Sequence, residues 1–327
     1  MKKLNLTAQP GRTALAEDGK EYLFFSGYSY LGMGHVPEFA QLVREGMNRY
    51  GLLFPSSRIS NTRLSLYEEC EALLSEITGT EETVLVASGY QAGNMAVDVW
   101  KQPVHNYPSA HPAIQYNGNY APGGLNITAT DSVNVLKAAI TDFAQITERC
   151  DYLVIDDSHG FGLLGEKGEG IACILPKNNA AQYVLNYSLS KACNINAGAI
   201  SCPAAVADKL RALPAYTAST APAPALLHAF INGQQLYRLQ LNKLRENIRY
   251  FIALAGQLPG VTYHPQLPVF ILPASVNEQA LLEDGIIISS FAYPNASGPT
   301  IKRIVLNALH TKEDMERLAR SLCKLLL

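Results

Sequence analysis

Apolar residues recur along the chain at helical spacing in some stretches and in short unbroken runs in others. The helical spacing predicts a helix over 36–47, with Gly51 just beyond its end. A second predicted helix opens with the capping-box pattern of Ser65 and Glu68 and ends before Gly79. The first part of the chain therefore begins with two amphipathic helices.

Short apolar runs then alternate with helical or loop stretches as far as residue 201. Strands are predicted at 83–87, 112–116, 125–129, 152–156, 182–187 and 198–201. Their nearly continuous apolar character is typical of a largely parallel sheet that is covered on both faces. In such sheets ligands bind beyond the carboxyl ends of the strands.

The C-terminal third has a different pattern, which predicts a small α+β domain. A long helical region runs from about 222 to 256 with Gly233 inside it, and a final helix starts at Thr311. Short strands are predicted at 269–272, 286–289 and 303–307. We expect a large domain over 36–235 and a small domain formed by 1–35 and 236–327.

Charge and cysteine usage exclude several classes of protein. The 26 Lys and Arg residues balance 28 Asp and Glu, so no strong field favours nucleic acid or an anionic membrane. No apolar run approaches the roughly 18 residues of a membrane span. The six cysteines form no C-x-x-C pair and no metal-ligand spacing, so we expect reduced thiols, no bound metal and a cytoplasmic protein.

Lys191 is the first candidate for chemistry. It follows the apolar strand that ends near Tyr187 and lies among Ser188 and Ser190, with no carboxylate nearby in sequence. A surface lysine in a loop is the simpler interpretation. A lysine just past a buried strand is also what a Schiff base to a carbonyl cofactor requires.

Asp156 ends the apolar run 152–155 and is followed by Asp157, Ser158 and His159. A carboxylate at the end of a buried strand needs a cationic partner, and a protonated pyridine nitrogen would supply one. A turn cap is the alternative for the acid, and a backbone contact is the alternative for His159. Together, Asp156 and Lys191 predict pyridoxal 5'-phosphate (PLP).

A glycine turn follows the strand 83–87. Ser88 and Gly89 precede a predicted helix, whose N-terminal backbone N–H groups could approach a phosphate. An ordinary strand-to-helix turn is the alternative. Residues 160–165 spell G-x-G-x-x-G, but Glu166 to Gly170 follow where a dinucleotide site needs a helix, so a nicotinamide site is not favoured.

Five segments, in this order, resemble the α-oxoamine synthase family of fold type I PLP enzymes. They are residues 24–32, 85–94, 155–165, 187–192 and 219–222. The resemblance covers most of the chain. It implies an α/β fold like that of aspartate aminotransferase, with a mainly parallel seven-stranded sheet in the large domain, and a homodimer whose active sites lie at the subunit interface.

The resemblance also implies roles for matching residues. Lys191 would hold PLP as a Schiff base and move the substrate Cα proton, and Asp156 would pair with the pyridine nitrogen. Further cofactor contacts would come from His159 and Ser132 at the phenolic oxygen, from His111 stacked on the ring, and from Ser88, Gly89, Tyr90 and Ser188 at the phosphate. Arg303 would clamp the substrate carboxylate.

The implied activity is condensation of a small amino acid with an acyl-CoA through a quinonoid. Three departures from the family would permit an alternative, an aminotransferase or other Cα chemistry without CoA. They are a short stretch between Trp100 and Asn126, residues 55–62 in place of a glycine-rich loop, and Pro294-Asn295 where the family has a threonine that reaches the neighbouring subunit's phosphate. A non-catalytic homologue is the third hypothesis.

Overall fold

The computed structural model describes residues 4–108, 110–116, 118–147, 150–177, 181–292, 298 and 300–327. The strands are β1 (Thr13–Leu15), β2 (Glu21–Phe25), β3 (Glu82–Val86), β4 (His105–Asn106), β5 (Ile127–Asp131), β6 (Val133–Asn134), β7 (Ala139–Ile140), β8 (Tyr152–Asp156), β9 (Gln182–Ser188), β10 (Gly198–Cys202), β11 (Thr262–Tyr263), β12 (Val269–Leu272), β13 (Ile286–Ala292) and β14 (Thr300–Val305). The α-helices are α1 (Pro37–Tyr50), α2 (Ser65–Thr78), α3 (Gly89–Asp98), α4 (Ala144–Thr147), α5 (Ala204–Arg211), α6 (Pro214–Thr217), α7 (Pro224–Asn232), α8 (Gln234–Ala255), α9 (Glu278–Glu283) and α10 (Lys312–Leu326).

The chain divides into two compact units. The large unit comprises Val36–Asn134 and Ile140–Arg238, and the small unit comprises Met1–His35, Val135–Ala139 and Leu239–Leu327. Each unit contains one six-stranded sheet within the described residues.

The sheet of the large unit has the order β3-β10-β9-β8-β5-β4. Strand β10 runs antiparallel to β3 and β9, and the other neighbours pair in parallel. Its strands carry apolar residues that are fully buried, such as Val84, Val154, Val184 and Ile200, because helices such as α3 and α5 cover the sheet. The predicted α/β class with a mainly parallel sheet is confirmed.

The predicted number of seven strands is wrong for the described residues, which form six. The segment 112–116, predicted as a strand, instead contains a short 3-10 helix over Pro112–Ile114. Pro112 lacks the N–H that a sheet ladder needs, and the His111 side chain accepts a hydrogen bond from Ala113 N, which favours a helical turn.

Two further details differ from the sequence prediction. Helix α2 is present, but Leu64 is its N-cap, and Ser65 lies inside the first turn with its hydroxyl donating to Glu69. The long helical region after residue 222 is divided at Gly233 into α7 and α8.

The small unit has a sheet of order β1-β2-β13-β14-β12-β11, in which only β2 and β13 pair in parallel. Helix α10 begins after Thr311, as predicted, with a capping box formed by Thr311 and Asp314. Its apolar stripe is buried, with Met315, Leu318 and Leu322 fully inaccessible to solvent. None of the described helices is both long and apolar enough to cross a bilayer.

Candidate active site

Asp156 is the last residue of β8, at the carboxyl edge of the large sheet. Its side chain is buried because the preceding residues, Leu153 to Ile155, are core residues of the sheet. Oδ1 accepts a hydrogen bond from Ser158 N at 2.9 Å, and Oδ2 lies 3.9 Å from Nδ1 of His111. The carboxylate is therefore fixed at the strand end and directed towards the His111 side chain.

Lys191 lies in the turns between β9 and β10 and is half-buried. The segment is held to the neighbouring strand end, because Ser188 N donates to the Ser158 hydroxyl at 3.0 Å. The hydroxyls of Ser188 and Ser190 are hydrogen-bonded at 2.7 Å. Since β8 and β9 are adjacent parallel strands, the structure brings the loops that carry Asp156 and Lys191 together.

The N-terminus of α3 packs closely against the end of β9. Ser88 is the N-cap residue, and its side chain accepts from Gln91 N at 3.2 Å. A Cβ on Gly89 would lie 2.4 Å from the Cβ of Ser188, so only glycine allows this approach. The N-terminal N–H groups of α3 and two serine hydroxyls thus face one small region, where the helix dipole favours an anion. Tyr90 is mostly exposed at the same helix end.

His111 is half-exposed, and its ring is oriented by local hydrogen bonds. Nδ1 accepts from Ala113 N at 3.1 Å, which places the ring proton on Nε2. Burial lowers the pKa of His111, and the Lys191 charge lowers it further, whereas Asp156 opposes both. The imidazole is therefore neutral at pH 7 and offers one N–H donor.

Ser132 is fully buried directly after β5. Its hydroxyl donates to Oδ1 of Asp157 at 2.5 Å, so a contact with the phenolic oxygen of PLP requires an exchange of that partner. Asp157 also accepts from Ile171 N at 2.8 Å. Burial raises the pKa of Asp157 to about 7, although both hydrogen bonds lower it.

The other two predicted residues occupy different units. His159 lies in the turn after Asp156 in the large unit and is partly buried. Arg303 is on β14 of the small unit, where its guanidinium stacks over the Phe291 ring at 5.1 Å. Its Nε is buried without a hydrogen-bond partner among the described residues, and burial lowers its pKa. Pro294-Asn295 lies outside the described residues.

Sequence reasoning missed two polar residues beside Asp156. In the sheet, Asp156 pairs with Asp131 of β5 on one side and with Asn186 of β9 on the other. Asn186 is fully buried, and neither Nδ2 nor Oδ1 has a hydrogen-bond partner within the described part of the chain. Both residues could have been identified from the sequence, because each is a polar residue near the end of a predicted apolar strand.

This set of residues fits PLP. Because Gly89 has no Cβ, the N-terminus of α3 lies close to Ser188, and the backbone N–H groups at this helix end can bind a phosphate. A Cβ at residue 89 would occupy the space between the helix end and Ser188. Asp156 offers a carboxylate to a pyridinium nitrogen, and Lys191 offers an amine to the cofactor carbonyl. The unpartnered amide of Asn186 on the same strand as Ser188 adds polar groups that no described residue satisfies.

Solved structures share this fold. Serine palmitoyltransferase from S. paucimobilis with bound PLP and myriocin has a TM-score of 0.84, with 98% of this chain and 91% of that chain covered at 16% identity. For 8-amino-7-oxononanoate synthase from Francisella tularensis the TM-score is 0.72, with 93% and 97% covered at 19% identity. The fold is that of the PLP-dependent enzymes of fold type I, as predicted.

The chain belongs to the aminotransferase class I and II family, whose sequence profile matches residues 134–322. The 8-amino-7-oxononanoate synthase of Nitrosomonas eutropha is 27% identical over 349 residues, which cover 93% of this chain and 90% of that relative. The predicted family, the enzyme class of PLP-dependent transferases and the PLP cofactor are confirmed.

Proposed function

We propose that this protein condenses a small amino acid with an acyl-CoA, with PLP bound at the carboxyl edge of the large sheet. The observation that carries the proposal is the adjacency of Asp156 at the end of β8 and Lys191 after β9, whose loops are joined by the hydrogen bond from Ser188 N to Ser158. When bound, PLP supplies an electron sink that makes the substrate Cα proton removable.

The residues of the large unit divide the work of binding and proton transfer. Lys191 would hold the cofactor through its Nζ, and the same amine would accept the Cα proton of the amino acid. Asp156 would hold a proton on the pyridine nitrogen, with its carboxylate oriented by the hydrogen bond from Ser158 N. Ser88, Gly89, Tyr90 and Ser188 would surround the phosphate, and the close packing of Gly89 at the start of α3 against Ser188 of β9 supports this proposal.

The acyl-transfer half of the reaction needs a donor for the thioester oxygen. His111 is suited to this because its neutral ring keeps a proton on Nε2 while Nδ1 is bound to Ala113 N. His159 and Ser132 would approach the phenolic oxygen of PLP. Arg303 would bind the amino-acid carboxylate, for which its buried Nε is suited because it has no hydrogen-bond partner among the described residues.

The acyl donor is proposed because the similar proteins carry the names 8-amino-7-oxononanoate synthase and serine palmitoyltransferase. Incubation of the PLP-loaded protein with glycine, L-alanine or L-serine and acyl-CoA thioesters of short, medium and long chains tests this. We expect release of the CoA thiol to require both substrates. Lys191→Ala should abolish the release, and the exposed lysine variant Lys209→Ala should retain it.

Transamination is the second candidate, because the stretch between Trp100 and Asn126 is shorter than in the α-oxoamine synthases and the matched family is named for aminotransferases. Formation of a keto acid from the amino acid without any thioester would favour it. Thiol release without keto acid would exclude it. The two products are therefore measured in the same incubation.

We also propose a homodimer in the cytoplasm. Large apolar side chains are exposed on and after α1, namely Met47, Leu52, Leu53 and Ile59, and such a patch is typical of an interface. All six cysteines are free thiols, which fits a reducing compartment. Leu53→Asp should yield a folded monomer in sedimentation analysis; an unchanged dimer would place the interface elsewhere.

A further inference from the structure

Asp131 places a second carboxyl beside Asp156, and nothing in the proposed reaction uses it so far. It ends β5, and its Cα is paired with that of Asp156 across the parallel ladder. Residues paired in this way project to the same face of a sheet. The ends of β5 and β8 thus present two acids side by side at the edge where PLP is proposed to bind.

The Asp131 carboxyl has a defined partner. Its Oδ1 accepts a hydrogen bond from His111 N at 2.9 Å. The same histidine uses its ring Nδ1 to accept from Ala113 N at 3.1 Å. The backbone of His111 is therefore tied to β5 while its ring is fixed by the following turn, and these two bonds set the direction of the free Nε2–H.

A carboxyl is a costly choice for that hydrogen bond. Asparagine would accept the same N–H without adding a second negative charge next to Asp156. Burial raises the pKa of Asp131 to about 7, and the Asp156 charge raises it further, whereas the His111 N–H and the Lys191 charge lower it. Groups with such perturbed titration cluster at functional sites.

We propose that Asp131 is a positioning residue of the active site, which anchors His111 through its backbone N–H and, in its ionised form, adds negative charge near Lys191. The proposal rests on the proposed function. It assigns two separable tasks to one side chain: the hydrogen bond orients the histidine, and the charge favours a proton on the Lys191 nitrogen. Among the described residues, Asp156 and Lys191 act on the Asp131 carboxyl through their charges, and His111 acts on it through its backbone N–H.

Three variants separate these tasks. Asp131→Asn keeps an acceptor for His111 N and removes the charge, Asp131→Ala removes both, and Asp131→Glu restores the charge at a longer reach. The exposed carboxyl of Asp208 provides the matched control, Asp208→Asn. All four are first compared with the wild type by circular dichroism, so that a variant that fails to fold is recognised.

The first measurement uses the apo-protein and does not depend on PLP chemistry. At a pH above the Asp131 pKa of about 7, amide hydrogen exchange at His111 should be faster in Asp131→Ala by on the order of tenfold or more, because a hydrogen bond to a charged acceptor is lost. It should stay near the wild-type rate in Asp131→Asn and Asp208→Asn. NMR of the side-chain carboxyl carbon should show that Asp131 titrates with a pKa of about 7. Unchanged exchange in Asp131→Ala would overturn the anchoring role.

The second measurement uses the PLP-loaded protein. The pH midpoint of its visible absorbance change should fall in both Asp131→Asn and Asp131→Ala and return towards the wild type in Asp131→Glu. If the pH midpoint were the same in all variants, the proposal that the Asp131 charge favours a proton on the Lys191 nitrogen would be refuted. If the wild type forms no PLP band at Lys191, the proposed function fails, while the apo-protein exchange still decides whether Asp131 anchors His111.

Discussion

Replacing Gly89 by alanine tests whether the contact between α3 and β9 forms the phosphate site. An alanine Cβ would lie 2.4 Å from the Cβ of Ser188 and 2.8 Å from its Cα. Because Ser188 Cα belongs to a central strand, the N-terminus of α3 has to move instead. Overpacking of this kind costs about 1–3 kcal/mol of stability. A displaced helix end also loses a hydrogen bond to a charged phosphate, which is worth about 1.5–3 kcal/mol.

The expected result is a dissociation constant for PLP that rises roughly tenfold to hundredfold in Gly89→Ala, since about 1.4 kcal/mol corresponds to a factor of ten. Titration of the apo-protein with PLP, followed by absorbance, measures this. Gly124→Ala is the matched control, because a Cβ there has no atom within 4 Å. Urea unfolding of both variants separates folding from binding. A folded Gly89→Ala that binds PLP as tightly as Gly124→Ala would refute the assignment of the phosphate site.

Two further predictions concern stability. Arg58→Ala breaks a buried ion pair with Glu71, whose side chains are 8% and 10% exposed, so the free energy of unfolding should fall by about 3–5 kcal/mol. Arg63→Ala breaks an exposed pair and should cost less than about 1 kcal/mol; equal losses in urea unfolding would contradict this reasoning. Burial lowers the pKa of His310 from 6.5 to about 4, although its contact with Phe24 O and the Asp314 charge oppose this. The unfolded chain therefore binds the proton first, and stability should fall as the pH drops from 6.5 towards 4. His310→Gln should lack this part of the pH dependence, and parallel curves for the two proteins would count against it.

Sequence reasoning located Asp156, Lys191 and Gly89 because each ends a continuous apolar run or lies within four residues of its end. Such a run predicts a buried strand, and parallel strands bring their carboxyl ends to one edge. Recognising these runs as parallel strands was therefore enough to predict that the residues at their carboxyl ends belong to one site. The resemblance to the α-oxoamine synthases then implied the roles of further residues, such as His111 and Arg303.

The pairing register could not be obtained in the same way. Asp131 becomes a neighbour of Asp156 only because Ile127 pairs with Tyr152 along the β5–β8 ladder. A shift of one residue would turn Asp131 to the opposite face, and the apolar pattern of the two strands permits either arrangement. The bond from His111 N to Asp131 depends on that register as well.

The segment around Pro112 was misjudged for a local reason. Its apolar residues, Ala113 and Ile114, are buried as a strand would bury them. Proline at the first position and the histidine cap before it nevertheless favour a helical turn. The burial of short apolar runs therefore does not distinguish a strand from a 3-10 turn.

The central claim is that Lys191 is the residue that binds PLP. Sodium borohydride reduction of the PLP-treated protein, followed by peptide mass spectrometry, tests it most directly. We predict that the label is found on the peptide containing Lys191 in the wild type and in Lys209→Ala, and that Lys191→Ala is unlabelled. A label on a different lysine, or equal labelling of Lys191→Ala, would contradict the account.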